Sequence, residues 1–222
     1  MTELIPNNPI SYQQQRPILF KHLDFVGDVL DVGCNAGANL NYLINNFNNV
    51  GFTMGLDYNE EAIAFAKKSL SHAKVCNLNN LVELETLIKN QSFDTIIIAD
   101  VLEHILYPLD VVKILFSRLK PNGKIIISVP NTGYYTTLIN FFLRKWPRND
   151  RGIYDKTHIH FFFKRNLIEL LPPNAHFKLI NRTFKLVEHK SVFLDKVFIP
   201  IIPFIPFIRD FFTFQYIIQI TK

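Results

Sequence analysis

Cysteine is scarce: only Cys34 and Cys76 stand in 222 residues. They form neither the paired spacing of a zinc site nor a disulfide framework, so a reducing, cytoplasmic setting and no metal are expected. No Gly-x-Gly-x-x-Gly is met after the first apolar run, which removes the usual pyrophosphate cradle, and no Gly-x-x-x-x-Gly-Lys phosphate loop is present. The opening from Met1 to Gln15 is polar and marked by proline. It lacks a charged segment before an apolar core, so no secretory leader is expected. The apolar stretch Phe198 to Phe212 is broken by Pro200, Pro203 and Pro206 and is too short to span a membrane as a helix. No long-period internal repeat is visible.

What is present is a basic, phenylalanine-rich chain: net charge +5 with 21 phenylalanines, most of them in the second half. The charge suits an acidic substrate, a membrane surface or nucleic acid. The length predicts one domain (1–222) with a substantial core.

The organising stretch is Val29-Leu30-Asp31-Val32-Gly33-Cys34-Asn35-Ala36-Gly37, followed at once by a helical pattern over Asn39 to Asn46. It reads as a strand, a tight turn and a helix N-terminus where a ligand can lie against bare backbone. A second apolar run, Phe52 to Leu56, closes on Asp57. An acidic residue there, about twenty residues past the last turn glycine, can accept both hydroxyls of a ribose. Helix capping is the plainer use of Asp31 and Asp57.

A helix is predicted over Tyr12 to Leu23, packed on the sheet edge, after an arm; together they fill 1–28. The core, 29–131, then alternates strands (Val29 to Val32, Phe52 to Asp57, Ala73 to Cys76, Phe93 to Asp100, Lys124 to Val129) with helices (Asn39 to Asn46, Glu60 to Leu70, Leu81 to Lys89, Pro108 to Leu119). That rhythm implies a doubly wound α/β sheet with ligands at the carboxyl ends of its strands. The rhythm breaks in an aromatic, basic cap over 132–175. Two further strands, His176 to Val187 and Phe214 to Thr221, are expected to pair antiparallel in 176–222, around an apolar insertion over 188–213.

These residues resemble the class I S-adenosylmethionine-dependent methyltransferases, whose first motif reads roughly hydrophobic-hydrophobic-Asp-hydrophobic-Gly-x-Gly-x-Gly. Asn35 stands where that motif has its middle glycine, and asparagine is the non-glycine residue that best tolerates positive φ. Asp57, the run from Asp100 to His104, Leu119 to Gly123, and Ile127 to Asn131 resemble the later motifs in order and spacing. Asp155-Lys156-Thr157-His158 before Phe161-Phe162 resembles the cap of the branch containing ubiquinone-biosynthesis and surface-polysaccharide methyltransferases.

The resemblance implies a Rossmann-like, seven-stranded, mostly parallel sheet with its last strand antiparallel, and S-adenosyl-L-methionine as cofactor, leaving as S-adenosyl-L-homocysteine. Carried over by position, Gly33, Cys34, Asn35 and Gly37 would line the methionine part and sugar, with Asp31 counted among the cofactor-binding residues or orienting the turn. Asp57 would bind the ribose, Tyr58 would pack on the adenine, and Asn77 and Leu78 would flank it. Asp100, Val101 and His104 would face the sulfonium end.

His104 is the candidate base, with Asp155 and His158 as a carboxylate-oriented pair if locally helical; pocket shaping and structural hydrogen bonding are the plainer roles. The basic run Arg144, Lys145, Arg148, Arg151, Lys156, Lys164 and Arg165 reads as a solvated face or as a site for phosphate or carboxylate on the acceptor. The expected activity is methyl transfer, most simply to oxygen, on a small-molecule, glycan or lipid-linked acceptor. Peripheral membrane contact through 198–212 is a further expectation. A non-catalytic cofactor-fold binding or regulatory protein is the alternative. A nucleic-acid methyltransferase is disfavoured, because no Pro-Pro-Tyr-type motif stands after the fourth strand.

Overall fold

The computed structural model describes residues 15–184 and 205–222. Its centre is a seven-stranded sheet in the order β3-β2-β1-β4-β5-β7-β6. The strands are β1 (Gly27–Val32), β2 (Val50–Asp57), β3 (Ala73–Val75), β4 (Phe93–Ala99), β5 (Leu119–Pro130), β6 (His176–Phe184) and β7 (Thr213–Thr221). All neighbours through β5 pair parallel, whereas β7 runs antiparallel to both β5 and β6. The strand order reverses at β1 and β4, which opens a crevice at their carboxyl ends.

The central strands are buried on both faces, which is why they read as unbroken apolar runs rather than as alternation. Successive side chains go to opposite layers. Leu30, Val32, Ile96 and Ile98 meet α3 (Leu81–Ile88) and α4 (Pro108–Ser117) through Leu84, Ile88, Val111 and Leu115. Val29, Ile97 and Ile126 meet α1 (Ala38–Asn46) and α2 (Glu60–Ala66) through Leu40, Leu43 and Ile63. The doubly wound expectation is therefore met.

The expected helix over Tyr12 to Leu23 is corrected. From residue 15 onward this segment holds a single 3-10 turn, Pro17–Leu19, with Phe20 N–H donating back to the Pro17 carbonyl. Pro17 has no N–H to continue a helix, and the chain folds back so that Leu19, Phe20 and Leu23 pack on the sheet face beside Val29 and Ile97. Helix α2 stops at Ala66, and tighter turns carry the chain to Leu70. Residues Lys120 to Gly123 bulge out of β5 between the Phe93↔Leu119 and Thr95↔Lys124 pairs, with Asn122 at φ 62°.

The cap contains α5 (Tyr135–Phe142) and a 3-10 segment, Lys164–Leu170, whose Leu167 and Leu170 join the main core. Its own small core is Tyr134, Ile153 and Tyr154, with the Tyr154 hydroxyl accepting from Asn140 at 2.8 Å. Of the apolar insertion, residues 188–204 lie outside the described residues, as do 185–187 of the expected sixth strand; the rest ends in α6 (Pro206–Phe212).

Candidate active site

The turn after β1 has three residues in the left-handed region, Gly33 (φ 73°), Asn35 (φ 48°) and Gly37 (φ 82°). Gly33 and Cys34 N–H groups donate to the Leu56 carbonyl at 2.7 and 3.0 Å, lashing the turn to β2. A Cβ on Gly33 would lie 2.3 Å from Val101 Cγ2, so only glycine lets the turn and the loop after β4 approach this closely. Asn35 takes over the middle glycine's role: its N–H donates to Asp57 Oδ2 at 2.8 Å and its own Oδ1 accepts from Ala36 N–H at 2.7 Å. The Cys34 thiol is buried and lies against Gly55, so it is a packing group, and burial pushes its pKa up.

Two carboxylates lie beneath the turn. Asp57, at the end of β2, accepts from Asn35 and, through Oδ1, from Asn59 N–H at 2.9 Å; burial nevertheless raises its pKa. Asp31 is wholly buried, and among the described residues neither of its oxygens has a hydrogen-bond partner, although Asn39 lies close by. Burial first, and the Asp57 charge second, push its pKa up to about 8. A buried carboxylate without a donor is costly, and an ammonium group beside it removes that cost. Cys76 N–H donates to the Asp57 carbonyl at 2.8 Å, which brings exposed Tyr58 and the pair Asn77 and Leu78 to neighbouring strand ends. A carboxylate pair, bare turn backbone, and an aromatic ring fit an amino acid, a ribose and a base in sequence, the three parts of S-adenosylmethionine.

The other wall is built on the loop after β4. Asp100 has φ 55°, and its carboxylate accepts from Ser128 Oγ at 2.9 Å and from the side chains of Gln215 and Arg16. None of those three partners was singled out from sequence. Ser128, a polar residue ending an isoleucine run, carried a local signal. Arg16 and Gln215 carried none, being 84 and 115 positions from Asp100.

Glu103 is buried, its carbonyl accepts from the Ile159 and His160 N–H groups, and one carboxylate oxygen has no partner among the described residues. Burial, then the neighbouring Asp100, raise its pKa well above the usual range. His104 Nδ1 lies 3.0 Å from Thr157 Oγ1 and 3.4 Å from the Thr157 carbonyl, and its ring meets the edge of His158 at 4.7 Å. Burial lowers the pKa of His158, whose Nδ1 faces the Ile153 carbonyl at 3.3 Å.

The expected Asp155–His158 pair is corrected. Residues 155–158 form a turn closed by His158 N–H to the Asp155 carbonyl at 3.1 Å, and the Asp155 carboxylate binds Thr157 instead, through its hydroxyl at 2.6 Å and its N–H at 2.8 Å. Ligating atoms of Glu103, His104 and His158 lie within 4.8 Å of one another. Burial raises the pKa of Glu103, so a cation held there would have to displace a proton from it. Beside the cluster Trp146, Arg148, Tyr154, Asp155, Lys156, His158 and Phe161 line a cleft of about 170 Å³, and Lys156 Nζ is already paired with Asp150 Oδ1 at 2.6 Å.

A family model described as "Methyltransferase domain" matches residues 30–125. The ubiquinone biosynthesis O-methyltransferase of Coxiella burnetii is 32% identical over 126 residues, 55% of this chain and 49% of that protein. The chain thus matches about half the length of these curated relatives. Among solved structures, an S-adenosylmethionine-dependent methyltransferase from Archaeoglobus fulgidus superposes with a TM-score of 0.59 at 19% identity, over 89% of this chain and 86% of that one. One from Mesorhizobium loti gives 0.61 at 14% identity, over 93% and 96% of the two chains. With the turn after β1, the carboxylate closing β2 and the single antiparallel strand all in place, residues 30–125 match a methyltransferase domain and the chain has the fold of the solved S-adenosylmethionine-dependent methyltransferases.

Proposed function

We propose that this protein transfers a methyl group from S-adenosylmethionine to a hydroxyl of a small-molecule, glycan or lipid-linked acceptor. The observation that carries the reading is the buried Asp31 carboxylate, with only Asn39 close by among the described residues, beneath a turn whose backbone is tied to Asp57. Asp31 would receive the ammonium of the amino-acid half and Arg16 its carboxylate, while Asp57 would accept the ribose hydroxyls and Tyr58 would cover the base. The bound cofactor supplies a methyl on a sulfonium sulfur, which keeps the bonding electron pair and leaves as a neutral thioether.

The chain's own work is alignment and proton handling. Holding nucleophile and methyl in line at about 3–3.5 Å is the largest requirement of such a displacement. The loop from Asp100 to His104, braced by Ser128 and by the cap, would form one side of that alignment. His104 takes the acceptor's hydroxyl proton as the new oxygen–carbon bond forms. The cleft beside His158 sets the rings of Trp146 and Phe161 beside Arg148, with Asp155 in the same lining and Lys156 paired to Asp150. This favours an apolar or ring-shaped acceptor body, with Arg148 left to meet a polar or anionic substituent. The Coxiella burnetii relative is a ubiquinone biosynthesis O-methyltransferase, which supports oxygen as the receiving atom.

A peripheral membrane contact is part of the same reading. Phe141, Phe142 and Leu143 are 72%, 81% and 68% exposed and run directly into Arg144 and Lys145, a pairing that suits an anionic lipid surface. Ile205, Ile208 and Phe211, in the described end of the stretch first expected to make that contact, are exposed as well.

Calorimetry tests the cofactor assignment. Asp57→Ala should weaken S-adenosylmethionine binding well over tenfold, since each hydrogen bond to a charged group is worth about 1.5–3 kcal/mol. Unaltered affinity would remove the ribose assignment. Tight binding without turnover on a wide hydroxyl panel would favour the non-catalytic alternative.

A further inference from the structure

We infer that Thr157 and Asp155 are positioning residues that hold His104 in the tautomer carrying its hydrogen on Nδ1, leaving Nε2 as the basic nitrogen. The inference rests on His104 as the base in the reading above, and adds the part of the cap that prepares it.

The hydrogen inventory of the cluster fixes the assignment. A threonine hydroxyl has one hydrogen to give. The Thr157 hydroxyl lies 2.6 Å from Asp155 Oδ1, and a carboxylate oxygen accepts, so that hydrogen is committed to Asp155. The same oxygen also accepts the Thr157 N–H at 2.8 Å, which locks the threonine side chain against its own turn. Thr157 Oγ1 then has only lone pairs to offer His104 Nδ1, 3.0 Å away. The Thr157 carbonyl, 3.4 Å from the same nitrogen, can also only accept. Both groups facing Nδ1 are acceptors, so Nδ1 carries the hydrogen. Among the described residues, the edge of His158 and the carboxyl of Glu103 also lie beside the ring.

A general base must present a lone pair, and an imidazole in the wrong tautomer presents a hydrogen instead. Orientation of one ring nitrogen by a hydrogen bond at the other is a known means of choosing between them. Here the orienting groups lie on the cap, 53 positions from His104, so the base is prepared only when the cap is folded against the loop after β4.

Nitrogen-15 NMR of the full chain labelled at histidine tests this without any acceptor. The His104 resonances are assigned by their loss in His104→Gln. At a pH where the ring is neutral, wild type should show protonated Nδ1 and unprotonated Nε2. Thr157→Val keeps the side-chain shape but loses the hydroxyl. It should give mixed or reversed tautomers and lower kcat by roughly 10- to 100-fold with unchanged S-adenosylmethionine affinity, and Thr157→Ser should restore both. Protonated Nε2 in wild type, or tautomers untouched in folded Thr157→Val, would overturn the inference. A wild-type ring with the expected tautomer but no turnover would keep the positioning and remove the methyl-transfer reading instead.

Discussion

At the scale of single residues, Asp31 shows how much of a site is chemistry rather than shape. Its position at the end of β1 is legible from the apolar run before it and the glycine after it. That neither oxygen has a hydrogen-bond partner among the described residues is not, because only the packing of α1 over the turn decides what reaches them. Its pKa, near 8, lies well above that of a carboxylate in an unfolded chain, so folding favours the protonated form. The sign follows: this group's contribution is fully present below about pH 4 and is lost as pH rises toward 8. Asp31→Asn should therefore flatten the fall in melting temperature of the free protein between pH 5 and 8 while abolishing cofactor binding. A fall as steep as wild type's, followed by thermal denaturation, would contradict it. Asn35 teaches the complementary lesson. It departs from the family's glycine, yet its positive φ and its N–H to Asp57 keep the turn's geometry.

Elements were legible where one period dominates. The core strands and the helices between them follow their apolar spacing to within a few residues, because each is held by a layer on the sheet. The N-terminal helix failed at Pro17, where burial of Leu19 and Phe20 outweighed a weak helical pattern. The bulge in β5 was legible as a turn, but its purpose was not. It carries Lys120 to Asp28 and Asp94, at 2.5 and 2.8 Å, clamping the amino ends of β1 and β4. The Lys120 hydrogen bond lowers the pKa of Asp28, and the two carboxylates raise that of Lys120. Asp28 thus contributes stability above the usual carboxylate range, lost as pH falls through its lowered value. These side chains are partly exposed and screened by water, so Lys120→Met should cost only about 1 kcal/mol in urea unfolding at pH 7. The difference from wild type should shrink in high salt. A cost that does not respond to salt would mean that packing, not charge, is what the lysine supplies.

For the whole molecule, the fold class was readable from alternation alone, whereas the cap was not. Its aromatic, basic composition has no single period, and its contacts with the loop after β4 join positions far apart in sequence. No helix among the described residues is long and apolar enough to cross a membrane. Replacing exposed Phe141 and Phe142 by Asp should change unfolding stability by less than about 0.5 kcal/mol. It should also abolish sedimentation with phosphatidylglycerol vesicles and the blue shift of the chain's one tryptophan, Trp146, that such vesicles are expected to cause. Equal sedimentation of variant and wild type would place any lipid contact elsewhere.

The convergence of Arg16, Ser128 and Gln215 on Asp100 has a consequence for how the protein is made. Asp100 leaves the ribosome 115 residues before Gln215, so a nascent chain can assemble the sheet as far as β5 while that carboxylate still lacks one of its anchors. Competence for the cofactor would then wait until Gln215 has emerged, after the β1 to β5 part of the interior can already close.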